Sequence, residues 1–237
     1  MIDQSKFPLL REKLYSAVIC DILDELGVRN GAMYHHIRPL TPDMVTVGRA
    51  FTMLATDVYE IPEEPYKLEL EAVDSVKSGE VIVATTNGSV SSGFWGELLS
   101  TAAVGRGACG AIIDGLTRDS KRIIKMGFPV FVRGMSPYDS KGRTDVIAYQ
   151  VPIVCGGVLV RPGDLVFADY DGIVVVPKEI EDEVIDRAMQ KVSGENKVRE
   201  ELLAGVSARE VFASKRQIQP TLASYPTLGD NPLQKIL

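Results

Sequence analysis

Two segments, "GFWGELLS" and "IIDGLTRDS", carry the residues of this chain best suited to chemistry. In the second, an apolar run ends on Asp114, Gly115, Arg118 and Asp119. Arg118 offers a planar fork of donors that can grip a carboxylate with two hydrogen bonds. Asp119 can hold a hard divalent cation, which takes one or two carboxylates and keeps several waters. In the first segment, Gly96 precedes Glu97, Leu98 and Leu99. If a helix starts there, their backbone N–H groups are unpaired, and such groups bind carboxylates. Together these parts would bind a 2-oxo acid. The cation would take the ketone oxygen and one carboxylate oxygen, and Arg118 and the helix N-terminus would take the rest of the carboxylate. That arrangement stabilises an enolate next to the ketone. The residues alone leave a plainer reading open, in which Asp119 only caps a helix and Arg118 makes a surface ion pair. Asp114 is open in the same way: it orients Arg118, or it closes the turn with Gly115.

These residues need strand ends to stand on. "VIVATTNG" and "ACGAIID" read as short buried strands, and "PVFVRG" as a third. Between them, "ELLSTAAVGRG" and "DSKRIIKMG" read as helices, the second opened by Asp119 or Ser120 and closed by Gly127. Strand, helix, strand, helix, strand over residues 81–133 implies parallel strands with crossover helices. In such sheets ligands bind beyond the carboxyl ends of the strands, where both chemical segments fall. Upstream, Leu10, Leu14, Val18, Ile22 and Leu26 recur every four residues and predict one long helix. "TVGRAFTMLAT" alternates as a strand, and an acidic, Pro-broken loop leads from it into a helix. Downstream, "VPIVCGGVLVRPGDLVFADYDGIVVVP" predicts antiparallel hairpins turning at "CGG", "RPGD" and "DYDG". A long amphipathic helix follows, with a possible break near Gly194, then a short helix at "SAREVFASK" and a Pro-rich extended tail.

Several other chemistries fail on this chain. "GRGACG" matches GxGxxG, but it follows a helix and precedes a strand, the reverse of what a dinucleotide site requires. His35 and His36 are the only histidines, and no acidic or Cys cluster flanks them, so neither a His-based zinc site nor a His-activated nucleophile is built. No lysine sits inside a strand where it could form a Schiff base; Lys121 and Lys125 lie in a polar helix. A formal charge of −6 argues against nucleic acid. Three scattered cysteines suit reduced thiols in a cytoplasmic protein. The start shows no signal-peptide pattern, and no apolar run approaches the ~20 residues a membrane span needs.

The stretch from "GFWGELLSTAAVGRGACGAIIDGLTRD" to "FPVFVRG" resembles the family of 4-hydroxy-4-methyl-2-oxoglutarate aldolases and the related regulators of ribonuclease activity. The resemblance extends to "ICDILDELG", "GRAFTMLATD", "GDLVFADYDGIVVVP" and "ENKVREELLAG", roughly residues 10 to 215. The family's enzymes share a (D/E)-x20-R-D signature. Here Glu97 is followed, after twenty residues, by Arg118 and Asp119. The resemblance implies an α/β fold of the swivelling β/β/α, phosphohistidine-domain-like type with mixed sheets. It implies one domain over residues 1–215 with an extended tail over 216–237, assembled as a homotrimer or a dimer of trimers.

It implies roles as well. Asp119 would ligate Mg2+ or Mn2+ directly, and Glu97 would hold metal-bound waters. Arg118 would bind the carboxylate of a 2-oxo acid and polarise its ketone, and the amides that follow Gly96, those of Leu98 and Leu99, would bind the same carboxylate. Asp21 falls where the family carries an acid near the pocket; an exposed helix face is its other reading. Glu195 corresponds to an acid delivered to a neighbouring subunit's site; a solvated helix charge is its other reading. The activity implied is a metal-dependent class II pyruvate aldolase acting on a 4-hydroxy-2-oxo acid, with oxaloacetate decarboxylation as a companion. The alternative is a non-catalytic module that binds a ribonuclease. The regulators tend to lack the full acidic signature, so its presence favours catalysis.

Overall fold

The computed structural model describes residues 2–218. A 3-10 turn (Gln4–Lys6) leads into α1 (Phe7–Lys13) and α2 (Ser16–Glu25). Then come β1 (Arg38–Pro39), β2 (Thr46–Asp57), α3 (Lys67–Ser75), β3 (Glu80–Thr85), β4 (Gly93–Trp95) and α4 (Glu97–Gly105). They are followed by β5 (Gly110–Thr117), α5 (Ser120–Met126), β6 (Val130–Met135) and β7 (Thr144–Tyr149). The rest is β8 (Ile153–Cys155), β9 (Val158–Val160), β10 (Leu165–Ala168), β11 (Ile173–Val176), α6 (Glu181–Leu203) and α7 (Ala208–Ile218).

The main sheet runs β1-β6-β5-β3-β2-β10-β11, with β4 added to β5 and β7 added to β2. Its centre is parallel. Val81 to Thr85 of β3 pair with Gly110 to Asp114 of β5, and β5 pairs in parallel with β6. Its flanks are antiparallel through β1, β7, β10 and β11. The 12-residue β2 takes β10 along its first half and β7 along its second. This is a mixed α/β domain, as expected, with parallel crossovers in the middle and hairpins after them. Helices α3, α4 and α5 cover one face, burying Ala72, Val73, Ala103 and Ile123 against Phe51, Ile82, Ile113 and Val130. The β8–β9 hairpin and the 33–44 loop cover the other face, over Val81, Val83, Ile112 and Phe131. A third cluster packs α1, α2 and α6 on β10 and β11. Burial of these apolar side chains from water is the main force that holds the layers together.

Three expectations are corrected. The first helix is two. The chain is extended at Leu14 and Tyr15, and α2 restarts with Ser16, whose N–H and hydroxyl both donate to the Asp169 carboxylate at 2.7 Å. A distant acid thus supplies the cap that splits the leucine repeat. Helix α6 runs unbroken through Gly194. β4, inside a segment read as loop, and β7 were not foreseen. The tail read over 216–237 lies outside the described residues from 219 on. The "GRGACG" segment makes the helix-to-strand turn from α4 to β5, with Gly107 in the left-handed region at φ 82°. All three cysteines are free.

Candidate functional site

The two chemical segments meet because β4 and β5 pair in parallel, Gly93 opposite Leu116 and Trp95 opposite Thr117. The Trp95 carbonyl accepts from the Arg118 N–H and the Thr117 hydroxyl, both at 2.8 Å. This locks the end of β4 to the end of β5. Phe94 and Trp95 are core rather than pocket wall, at 2% and 0% exposure, and the Trp95 indole N–H donates to Ser100 in the first turn of α4. Gly93 permits the approach: a Cβ there would lie 2.4 Å from the Ser136 carbonyl oxygen and 3.0 Å from the Arg118 Cβ.

Helix α4 therefore begins beside Arg118 and Asp119. Gly96 is its N-cap residue, and no side chain caps it. The first intrahelical bond is Ser100 N–H to the Gly96 carbonyl, so the Glu97, Leu98 and Leu99 amides precede the ladder. The Leu98 side chain is 77% exposed, whereas that of Leu99 packs on the core; what Leu99 offers the site is its amide. Glu97 is half-buried, its carboxylate 3.4 Å from the Thr101 hydroxyl one turn on.

Asp119 stands at the N-cap of α5, yet its side chain makes no cap bond. Its backbone is left-handed, φ 58°, a conformation that costs a non-glycine residue free energy and clusters at functional sites. That turn aims the carboxylate away from α5. Oδ2 lies 3.4 Å from the Glu97 amide N and 3.4 Å from Arg118 Nε. Among the described residues, Oδ1 accepts no hydrogen bond. A Cβ on Gly96 would come within 3.2 Å of Asp119 Oδ2 and 3.3 Å of Arg118 Cγ, so the glycine keeps this cleft open. The plain reading of Asp119 as a simple cap does not describe this geometry.

Arg118 is partly exposed, its side chain 36% accessible, and it makes an ion pair of the kind the plainer reading expects. Its Nη1 donates to Asp139 Oδ1 at 3.0 Å, and the Tyr66 hydroxyl donates to Asp139 Oδ2 at 2.5 Å. Burial, then the bond to Asp139, pushes the Tyr66 hydroxyl up to about 12, so it remains a donor at neutral pH. Glu69, one turn beyond Tyr66 in α3, is buried at 3% exposure. Burial, and then the charges of Asp145 and Asp139, push its carboxyl up to about 8. Tyr66, Glu69 and Asp139 went unseen in the sequence, because their meeting depends on tertiary packing. The local trace of it is the acidic, Pro-broken loop "EIPEEPY", which ends on Tyr66.

Asp114 does neither thing expected of it. Its Oδ2 accepts from the Gly156 N–H at 2.9 Å, pinning the β8–β9 turn. Asp21 and Glu195 lie where α2 packs on α6. Asp21 pairs with Lys191 at 2.8 Å, and Glu195 accepts from the Tyr15 hydroxyl. No described contact joins either of them to Arg118 or Asp119 within the chain.

The donor set bears on which cation fits. Among the described residues, no three His, Cys, Asp or Glu side chains converge on one point. A closed His/Cys cage is therefore not built. One open carboxylate at Asp119, a second at Glu97 and room for water suit a hard cation that keeps most of its hydration.

A family model described as "RraA-like: Aldolase/RraA" matches residues 16–175. The chain is similar to Protein DlpA of Legionella pneumophila, 28% identical over 94% of this chain and 36% of that protein. It thus spans about a third of that relative's length. It is similar to a Halalkalibacterium halodurans protein named "Putative 4-hydroxy-4-methyl-2-oxoglutarate aldolase", 32% identical over 83% of this chain and 89% of the other. Among solved structures it is similar to Streptomyces coelicolor RraAS2, described as an unusual member of the RNase ES inhibitor RraA family. There the TM-score is 0.73 with 32% identity, covering 84% of this chain and 97% of that one. No described helix is long and apolar enough to cross a membrane.

Proposed function

Since the chain belongs to the RraA-like (Aldolase/RraA) family, we propose that it is a divalent-metal-dependent class II aldolase that cleaves a 4-hydroxy-2-oxo acid to pyruvate and a second carbonyl compound. What carries the reading is Asp119: a left-handed residue at a helix start whose carboxylate leaves its own helix and faces the Glu97 amide and Arg118. A Mg2+ or Mn2+ ion held by Asp119, with waters shared by Glu97, would supply Lewis-acid polarisation of the ketone. Arg118 would pair with the substrate carboxylate, and the Leu98 and Leu99 amides would donate hydrogen bonds to its remaining oxygen. As the C3–C4 bond breaks, its electron pair passes into the pyruvate enolate, and the 4-hydroxyl gives up its proton to become the product carbonyl. The guanidinium and the amides stabilise the enolate charge, because they are in place before it develops. Water held by Glu97 would take that proton and return one to C3 of the enolate, which gives pyruvate. Oxaloacetate decarboxylation passes through the same enolate and should accompany the aldolase activity. A homotrimer or dimer of trimers, in which Glu195 reaches a neighbouring subunit's site, completes the proposal.

The test is pyruvate release from a panel of 4-hydroxy-2-oxo acids and oxaloacetate, coupled to lactate dehydrogenase with Mg2+ or Mn2+. Asp119→Ala should abolish metal-dependent release, and Arg118→Ala should lower kcat/KM by about a hundredfold or more. Full activity after EDTA treatment, or in Asp119→Ala, would sink the mechanism. The likeness to RraAS2 favours a second reading, a ribonuclease-binding module. Tight capture of a ribonuclease with no turnover of any 2-oxo acid would put that reading first.

A further inference from the structure

We propose that Asp139 and Tyr66 are positioning residues that hold the Arg118 guanidinium in its substrate-binding orientation and keep it from collapsing onto Asp119. The proposal rests on the aldolase reading and adds to it. Arg118 sits between two carboxylates, and the distances rank them. Its Nη1 is 3.0 Å from Asp139, within ordinary hydrogen-bond length, whereas its Nε is 3.4 Å from Asp119, at the weak limit. Adjacent in sequence and free to close, an arginine and an aspartate would pair tightly and occupy the carboxylate needed for the cation. Asp139 prevents this by competing for the same guanidinium.

Asp139 can compete because it is itself fixed. Its Oδ1 also accepts from the Ser140 N–H at 3.0 Å, and its Oδ2 accepts from the Tyr66 hydroxyl at 2.5 Å. Its backbone carbonyl accepts from Arg143 at 3.2 Å. Tyr66 is a left-handed residue, φ 65°, at the start of α3. An aromatic residue holds that conformation only where its surroundings over-determine it, and the hydroxyl bond to Asp139 is one such constraint. Among the described residues, Nη2 of Arg118 has no partner. Its N–H donors are left to meet a carboxylate. The segment from β2 to α3 thereby acts on the site through Asp139, without contacting the reacting atoms.

The test uses the full chain, with oxalate as a stable mimic of the pyruvate enolate, titrated calorimetrically in excess Mg2+. Tyr66→Phe keeps the ring and removes only the hydroxyl, so it guards against a folding artefact. It should weaken oxalate about fivefold, and Asp139→Ala about thirtyfold. In the Arg118→Ala background, both substitutions should have no further effect, since a positioning residue loses its purpose with the group it positions. Equal oxalate affinity in the unmodified chain and Tyr66→Phe, or full losses persisting without Arg118, would overturn the clamp alone. An unmodified chain that neither binds oxalate nor releases pyruvate overturns the aldolase reading, and the clamp with it.

Discussion

Gly96 shows how little space the site has. It is not forced by backbone angle, since its φ is −147° and any residue adopts that. It is forced by neighbours at 3.2 and 3.3 Å from a would-be Cβ, both belonging to the site. Gly96→Ala should therefore displace Asp119 and Arg118 by a few tenths of an ångström and cost kcat/KM about tenfold. The same variant should melt within about 2 °C of the unmodified protein. A large fall in Tm, or unchanged kinetics, would show that the glycine serves packing instead. At this scale much was legible. Glu97, Arg118 and Asp119 stand out because each lies at a strand or helix end, where a polar residue needs a reason. Asp139 and Asp114 were not legible in the same way. Asp139 contacts Arg118 from twenty-one residues away, and Asp114 turned out to hold Gly156, from a hairpin 42 residues on.

Elements carry electrostatic loads of their own. In α3, the folded state keeps the Glu69 proton up to a pH of about 8, whereas the ordinary value is 4.5. Between those values the folded chain holds more protons than the unfolded one, so stability falls as pH rises across that window and levels off above it. Glu69→Gln is neutral throughout and should flatten the slope. Melts should show a gain of about 5 °C at pH 9 over the unmodified chain and little difference near pH 4.5. Equal gains at both pH values would reject ionisation as the cause. A second load falls where α6 starts. Glu181 is fully buried, pairs with Arg49 of β2 through both oxygens, and accepts from the Ile2 N–H at 2.6 Å. Glu181→Ala strands the guanidinium and should cost about 3–5 kcal/mol, with Tm falling by roughly 10 °C or more and kcat at low temperature unchanged. Sequence patterns recovered β3, β5, β6 and the helices between them because apolar runs and helical spacing are local signals. β4 was missed because three residues carry no period. The α1–α2 break was missed because the leucine repeat runs straight across it, while Asp169, which makes the break, is 153 residues from Ser16.

At the scale of the molecule, the candidate site lies apart from a well-formed cavity on the opposite end of the strands. A cavity of about 460 Å³, lined by Phe7, Arg11, Thr46, Gly79, Cys109 and Phe128, opens where β2, β3 and β5 begin. The candidate site lies where β4 and β5 end. It is a shallow arrangement of amides, one guanidinium and two carboxylates, suited to a small and strongly charged ligand.

The pairing of β4 with β5 has a bearing on how such chains can change in length. Helix α4, its turn and β5 together fill the interval between Glu97 and Arg118, and the parallel register fixes both ends of that interval. The spacing of twenty is thus the path length of one crossover unit, a ruler built into the fold. A residue added within α4 or β5 slides one half of the site past the other. Residues added at the tip of the segment from 58 to 65, which pairs with no strand, leave that interval intact. A change of length in that loop leaves the measured interval alone, whereas one within α4 or β5 alters it.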